Sequence, residues 1–283
     1  MIEYLITYES NNRYEEQVQE AFFEFLVAPH ENDTQRIVNE KNTHSVEGTS
    51  FYTKNIFSYK RYCLRLATPF NTLDFRYECV MLKKQDTYFP SMYDMLPPED
   101  EIQMLDSETF QIENYPFLNQ TYLTDISKSE VPENMLKTSA MPLLEYIHQL
   151  NQRIHSYLNY RSNVTTPFTS ARETLIRQLG VCQDYAHFMI GILRSQLIPC
   201  RYVSGYLHQG QNTIGAGQMH AWVEVLFPKY GWLGFDPTNN LLADHHYLKI
   251  SDGQDYQDCR AINGFIKPGT VNYTEYAVSV VDQ

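Results

Sequence analysis

The sequence predicts an α+β protein in which an N-terminal antiparallel β-sandwich precedes a unit made of a buried helix and an antiparallel sheet. Three observations carry this prediction. Short runs of alternating apolar and polar residues fill the first 85 positions, an amphipathic stripe starts at Leu143, and a largely apolar helical segment after Gly180 leads into further strands. At 283 residues, a soft prior of about 150 per domain gives roughly two domains, each able to bury a core without a disulfide or metal staple.

In Leu73–Leu82, the residues Leu73, Phe75, Tyr77, Cys79 and Met81 share one face opposite Asp74, Arg76 and Glu78, the mark of a half-buried strand. Val18–Val27 alternates too, with Ala21, Phe23, Phe25 and Val27 on one side, but is apolar on both faces. Ile2–Tyr8, Thr49–Tyr59 and Arg61–Phe70 are further candidates. This succession without a helical pattern predicts an N-terminal β domain over 1–85. Residues 86–140 are polar and punctuated by Pro90, Pro97, Pro98, Pro116 and Pro132, and read as a connector with one short helix. A second domain is expected over 141–283. It opens with Leu143, Leu144, Ile147, Leu150, Ile154 and Leu158, the stripe of a helix docked on a core. Ser170 and Glu173 fit a capping box, and Gly180 is placed to end that short helix.

Composition excludes several classes. A formal charge of −12 argues against affinity won by neutralising phosphates or an anionic leaflet, so neither a nucleic acid nor a membrane is expected as partner. The N-terminus MIEYLITYES lacks the basic residues and apolar core of a secretion signal, and the apolar run Phe188–Leu193 is far short of a membrane span. A cytoplasmic location is the expectation. Cys63, Cys79, Cys182, Cys200 and Cys259 are scattered, without a Cys-x-x-Cys pair, and an odd number cannot all pair within one chain. They read as reduced thiols with no zinc site.

In VCQDYAHFMIGILRSQLIP, the residues Cys182, Ala186, Met189, Ile190, Leu193 and Leu197 fall on one helical face, and Pro199 enforces the end. Cys182 therefore sits at the first turn, where free amides and the helix dipole stabilise a thiolate; the alternative is one more small buried hydrophobe. The strand CRYVSGYL follows, then a Gly-rich loop, His208 to Gln218, and the strand MHAWVEVLF with His220 at its entrance. GWLGFDPTNN comes next. If these last two strands pair about position 228, His220 faces Asp236, within reach for a carboxylate to orient an imidazole. Thiol, imidazole and carboxylate are the parts of a cysteine-dependent acyl transfer. The competing reading makes His220 a strand-end histidine and Asp236 a turn former beside Pro237.

The runs GVCQDYAHFMIGILRSQLIPCRYVSGYL and MHAWVEVLFPKYGWLGFDPTNN resemble the core of the transglutaminase-like superfamily, in particular its bacterial cysteine proteases, over about Ser170 to Phe265. The resemblance implies a papain-like core, with the nucleophile's helix packed on an antiparallel sheet, and an N-terminal β domain. It implies Cys182 as nucleophile, His220 as general base and acid, and Asp236 as the histidine's partner. It departs at Gln254, where an Arg is usual, and at Cys259. For the oxyanion, the amide of Cys182 is the natural donor, with Gln183 or Trp222 as second candidates. Asp184 is read as a helix cap rather than a charge tuner, and His187 as lying on the polar side of its helix. Asp244, His245 and His246 are read as surface or substrate-rim residues, since adjacent histidines in a strand point to opposite faces.

The expected activity is therefore cleavage or transfer of a peptide or isopeptide amide through a cysteinyl thioester, without cofactor or metal, on a peptide or protein substrate. Hydrolysis is favoured because the bacterial relatives resemble proteases as much as crosslinkers and no calcium-binding loop is evident. A protein-glutamine transglutaminase with the same triad is the alternative. A non-catalytic peptide-binding module, with the 208–218 loop lining its groove, is a second class, and a metal hydrolase on His245 and His246 ranks below both. Oligomeric state is not fixed by the sequence.

Overall fold

A computed structural model describes residues 1–85, 89–91, 95–208, 214 and 217–282. Its first six strands are β1 (Ile2–Val18), β2 (Glu20–Phe25), β3 (Gln35–His44), β4 (Thr49–Lys54), β5 (Lys60–Leu66) and β6 (Phe70–Lys83). The helices α1 (Pro98–Leu105), α2 (Glu108–Glu113), α3 (Tyr115–Leu118) and α4 (Leu143–Tyr157) follow. Next come β7 (Asn159–Tyr160), α5 (Ala171–Arg177), β8 (Leu179–Gly180) and α6 (Cys182–Arg194). The chain continues with β9 (Cys200–Leu207), β10 (His220–Phe227), β11 (Gly231–Asp236), β12 (Leu241–Leu242) and β13 (Tyr247–Gly253). It ends with β14 (Ile262–Lys267) and β15 (Asn272–Asp282).

Two four-stranded antiparallel sheets, ordered β15-β1-β6-β3 and β14-β2-β5-β4, face each other across an aromatic core. Alternation decides which side chains enter it. Tyr4, Ile6 and Tyr8 of β1, Phe75 and Tyr77 of β6, and Phe23 and Phe25 of β2 are all buried, and Phe25 stacks on Phe75 with centroids 3.7 Å apart. The sandwich expected from the first 85 residues is present, but it is not closed by them alone. Strands β14 and β15, which the sequence division left with the second domain, each supply one edge of its two sheets. Local pattern cannot reveal this, because β15 pairs with β1 about 270 residues away, Tyr8 opposite Val278. Strand β3, not foreseen, is polar on both faces because it is an edge paired only with β6.

The second unit has a five-stranded antiparallel sheet, ordered β12-β11-β10-β9-β13, against which α6 packs. Its outer face contributes Tyr206, Leu248 and Ile250 to the sandwich core, and Tyr206 Oη donates to Val27 O at 2.7 Å. The 86–140 stretch is more than a connector. Among the described residues it holds three short α-helices rather than one, and Leu105, Phe110, Ile126, Val131 and Met135 join the core around α4 and α6. Buried Glu101 accepts from Leu143 N at 2.8 Å, satisfying an open amide at the start of α4, where negative charge also suits the helix dipole.

Candidate active site

Helix α6 is fixed at its start by the Asp184 carboxylate and by the segment that leads into it. Ser170 and Glu173 form the expected capping box of α5, whose end is made by Gln178 in the left-handed region (φ 55°) rather than by Gly180. Gly180 serves another purpose. A Cβ there would lie 2.6 Å from the Asp184 side chain, so only glycine lets that carboxylate fold back beneath the turn. Asp184 accepts from Val181 N and from Thr165 Oγ1, each at 2.7 Å, in the capping role read from the sequence. It is fully buried, and burial pushes its carboxyl up to about 6 against the pull of those donors.

Cys182, the first residue of α6, is partly exposed and lines a cleft of about 850 Å³. Gln183 and His220 of the second unit line it too, and Tyr8, Tyr14 and Tyr276 of the sandwich contribute the rest of its wall together with their neighbours. The cleft is thus built between the two units, with β15 supplying part of its lining. A separate hollow of about 550 Å³ on the β1-β6-β15 sheet is lined by no cysteine.

His220 is buried at the start of β10, and its Nε2 donates to Asp236 Oδ2 at 2.8 Å. The strand register differs from expectation. Phe227 stands opposite Gly231 and Val223 opposite Phe235, so the pairing centres one residue later and Asp236 lies diagonal to His220. That displaces partners by two residues, which preserves the face, and the side chains still meet.

Asp236 accepts four further bonds: Thr238 N at 2.8 Å, Asn239 N at 3.2 Å, Asn239 Nδ2 at 2.8 Å and Tyr247 Oη at 2.8 Å. Burial acts to raise its pKa, but His220 and the donors Asn239 and Tyr247 outweigh burial and hold it below the usual carboxylate value. For His220, burial opposes the charged form, yet the Asp236 carboxylate and then Cys182 overcome it and raise the imidazole to about 10. The ring is therefore a cation at neutral pH. Its Nδ1 is buried without an aligned acceptor, so its interaction with the Cys182 thiol is loose.

Sequence reasoning missed Asn239 and Tyr247. The Asp-Pro-Thr-Asn run is an Asx-turn signal that locates Asn239, whereas nothing local marks Tyr247. Of the two further oxyanion candidates, one is engaged elsewhere and the other is not in the cleft. Gln183 Nε2 donates to Thr166 O at 3.0 Å, and Trp222 does not line the cleft; its buried Nε1 lies toward Gly234. The amide of Cys182 remains.

His187 is fully buried, contrary to expectation, because α6 is enclosed on every side from Asp184 to Arg194. Its Nε2 accepts from Tyr256 N at 3.2 Å, and burial lowers it to about 4, so it is neutral. Gln254, at the departing position, donates from Nε2 to Pro116 O at 2.7 Å. Cys259 is buried, and burial drives its thiol upward. Most of the 208–218 loop lies outside the described residues. No described helix is long and apolar enough to cross a membrane.

The family model of the transglutaminase-like superfamily matches residues 130–237. Over those residues the chain is similar to a transglutaminase-like domain. The match begins earlier than the resemblance from Ser170 onward, within the stretch read as connector. Uncharacterized proteins of Mycobacterium tuberculosis and Mycobacterium bovis are each 36% identical over 174 residues, which is 58% of this chain and 53% of theirs. The chain thus spans about half the length of these curated relatives. A protein-glutamine gamma-glutamyltransferase of Pseudomonas aeruginosa is 43% identical over 67 residues, 21% of this chain and 10% of that one. Among solved structures, a putative cysteine protease from Cytophaga hutchinsonii superposes with a TM-score of 0.69 at 19% identity, covering 99% of this chain and 90% of that one. The transglutaminase-like core and the sandwich around it are thus a shared architecture.

Proposed function

We propose that the chain is a thiol hydrolase of peptide or isopeptide amides, with Cys182 as nucleophile, His220 as acid and base, and Asp236 as its orienting partner. The reading is carried by one observation: Cys182, at the amino end of a helix, shares a cleft with an imidazolium held by a buried, five-bonded carboxylate. A cation beside the sulfur and the open amides of the first turn both favour the thiolate. The sulfur attacks the amide carbon, the oxyanion forms beside the Cys182 amide, and His220 passes a proton to the departing amine. The resulting thioester carries no charge on sulfur, so one influence that raises His220 is gone. The imidazole, left neutral by that transfer, takes a proton from water as the hydroxyl attacks the thioester carbon, and collapse of the tetrahedral species breaks the C–S bond, releasing the acid and returning the sulfur with the protonated ring.

Water is taken as the acceptor on the resemblance to the bacterial cysteine proteases. A primary amine would take the same place in a transglutaminase, the reading favoured by the Pseudomonas aeruginosa relative. A peptide-library assay with and without added amine separates them, since hydrolysis predicts free acids in both arms and transfer predicts amine adducts. The alternative of a scaffold without turnover predicts neither. Cys182→Ala abolishes product while leaving the Tm unchanged; retained turnover refutes the assignment. The reaction calls for reducing conditions, consistent with a cytoplasmic setting and with five free thiols.

A further inference from the structure

The geometry points to a transition-metal site on the turn before β13, where Asp244, His245 and His246 bring a carboxylate and two imidazoles together outside the catalytic cleft. The expectation that adjacent histidines diverge fails because these residues lie in a turn, not a strand, and their rings are 4.0 Å apart, centroid to centroid. One ligand atom from each of the three lies within 4.8 Å of the others. Two N or O ligands of one tetrahedral zinc, each about 2.0–2.2 Å from the ion, stand roughly 3.3–3.6 Å apart, so the turn closes by about 1 Å to seat the ion.

Backbone and side-chain bonds set that spacing. Asp244 Oδ1 accepts from His246 N at 2.9 Å and stands 2.9 Å from His246 Nδ1, while His245 Nδ1 lies 3.9 Å from Asp244 Oδ2. Tyr247 N donates to Asp244 O at 3.1 Å, and Ala243 N to Gly234 O at 3.0 Å, tying both sides of the turn to the sheet. A second observation comes from β9. His208 stacks on His246 at 6.0 Å, its N donates to His246 O, and its Nδ1 is buried with no hydrogen-bond partner. His208 thus stands beside the set as a neighbouring imidazole. Its other face is held by Tyr4 at 5.1 Å, and its Nε2 lies 3.5 Å from Asp282 of β15.

Two imidazoles and a carboxylate suit Zn²⁺ or Cu²⁺ over Mg²⁺ or Ca²⁺, which take all-oxygen shells. The site is built into the scaffold of the catalytic sheet. Tyr247, next in sequence to His246, is the residue whose hydroxyl reaches Asp236. An ion here stiffens the turn that delivers that hydroxyl, without touching substrate.

The test uses the full chain carrying Cys182→Ala, so that the cleft thiol cannot compete for the metal. After chelator treatment, calorimetric titration with ZnCl₂ is expected to show one equivalent per chain. Replacing His245 and His246 together by Ala is expected to weaken binding by about 100-fold or more, since even an outer-shell partner is worth 10–100-fold in affinity. Cu²⁺ bound to the same chain should show electron-paramagnetic hyperfine structure from two or three nitrogens, lost in the double variant. Absence of binding, or equal binding by the double variant with an unchanged copper spectrum, overturns the site. Neither result depends on turnover, so each leaves the proposed thiol chemistry to its own test.

Discussion

Replacing Asp236 by Asn should abolish the charge state on which the cleft depends, and its cost can be worked from the site. His220 is raised from 6.5 to about 10, and each pKa unit corresponds to about 1.36 kcal/mol, so the protonated ring contributes about 5 kcal/mol below pH 6.5 and about 4 kcal/mol at pH 7. That contribution falls as the pH rises and is gone above about 10, where the folded ring also loses its proton. Asp236 behaves oppositely: its depressed pKa stabilises the fold above the usual carboxylate value and the gain is lost on acidification. The pair therefore stabilises most between these limits. Removing one partner of such a buried pair costs about 3–5 kcal/mol, a range that contains the figure from linkage. An amide offers one acceptor oxygen where five donors converge, so the Asn variant does not recover it by hydrogen bonding. Urea denaturation at pH 5, 7 and 9.5, with a carbon-13 NMR titration of the His220 ring, checks both parts. The wild-type ring should stay protonated beyond pH 9. In the variant it should titrate several units lower, with the stability loss shrinking toward pH 9.5. A wild-type ring that titrates near 6.5, or a variant with an unchanged titration, refutes the reasoning.

Iodoacetamide at neutral pH should label Cys182 first, because burial raises Cys79 to about 12 and Cys200 to about 11 and leaves Cys63 and Cys259 above their ordinary value; peptide mapping that finds Cys63 or Cys259 first counts against the assignment. Tyr247→Phe removes one donor from the buried Asp236 carboxylate and should destabilise the fold by about 1.5–3 kcal/mol in urea melts, with the His220 titration still elevated. Ending the chain at Arg260 strips β14 and β15 from the edges of β2 and β1, baring six and eleven paired positions, and should give aggregated material by size-exclusion chromatography.

The parts of the site that were legible in the sequence are those in which local pattern and chemistry coincide. Cys182 follows from a helix whose start is punctuated by Gly180 and whose end is forced by Pro199. His220 and Asp236 follow from two alternating strands around a short turn, and the error of two residues in their register was harmless because a strand repeats every two. What stayed hidden depends on contacts distant in sequence or on complete burial. His187 looked polar because an amphipathic helix presents one face to water, whereas α6 is covered by the sheet, α4 and α5 alike. Tyr247 carries no local mark of the carboxylate it serves, eleven positions earlier. The polar strand β3 lacks alternation since an edge needs none.

The origin of the cleft's second wall bears on how substrate choice is encoded. Cys182, His220 and Asp236 all belong to the helix and sheet of the second unit, but Tyr8 and Tyr14 come from β1 and Tyr276 from β15, the two strands that bind the chain's ends together. The reacting groups and the surface facing them thus lie on elements with separate hydrogen-bond ladders. Side chains on that wall can change with no effect on the His220–Asp236 pair, because those strands are paired through backbone atoms and the pair is satisfied within its own sheet and turn. An exchange such as Tyr276→Ser is therefore expected to alter which peptides are cleaved through KM, while kcat for a minimal amide and the His220 titration stay the same. A fall in kcat on the minimal substrate would show instead that the wall positions the reacting groups themselves.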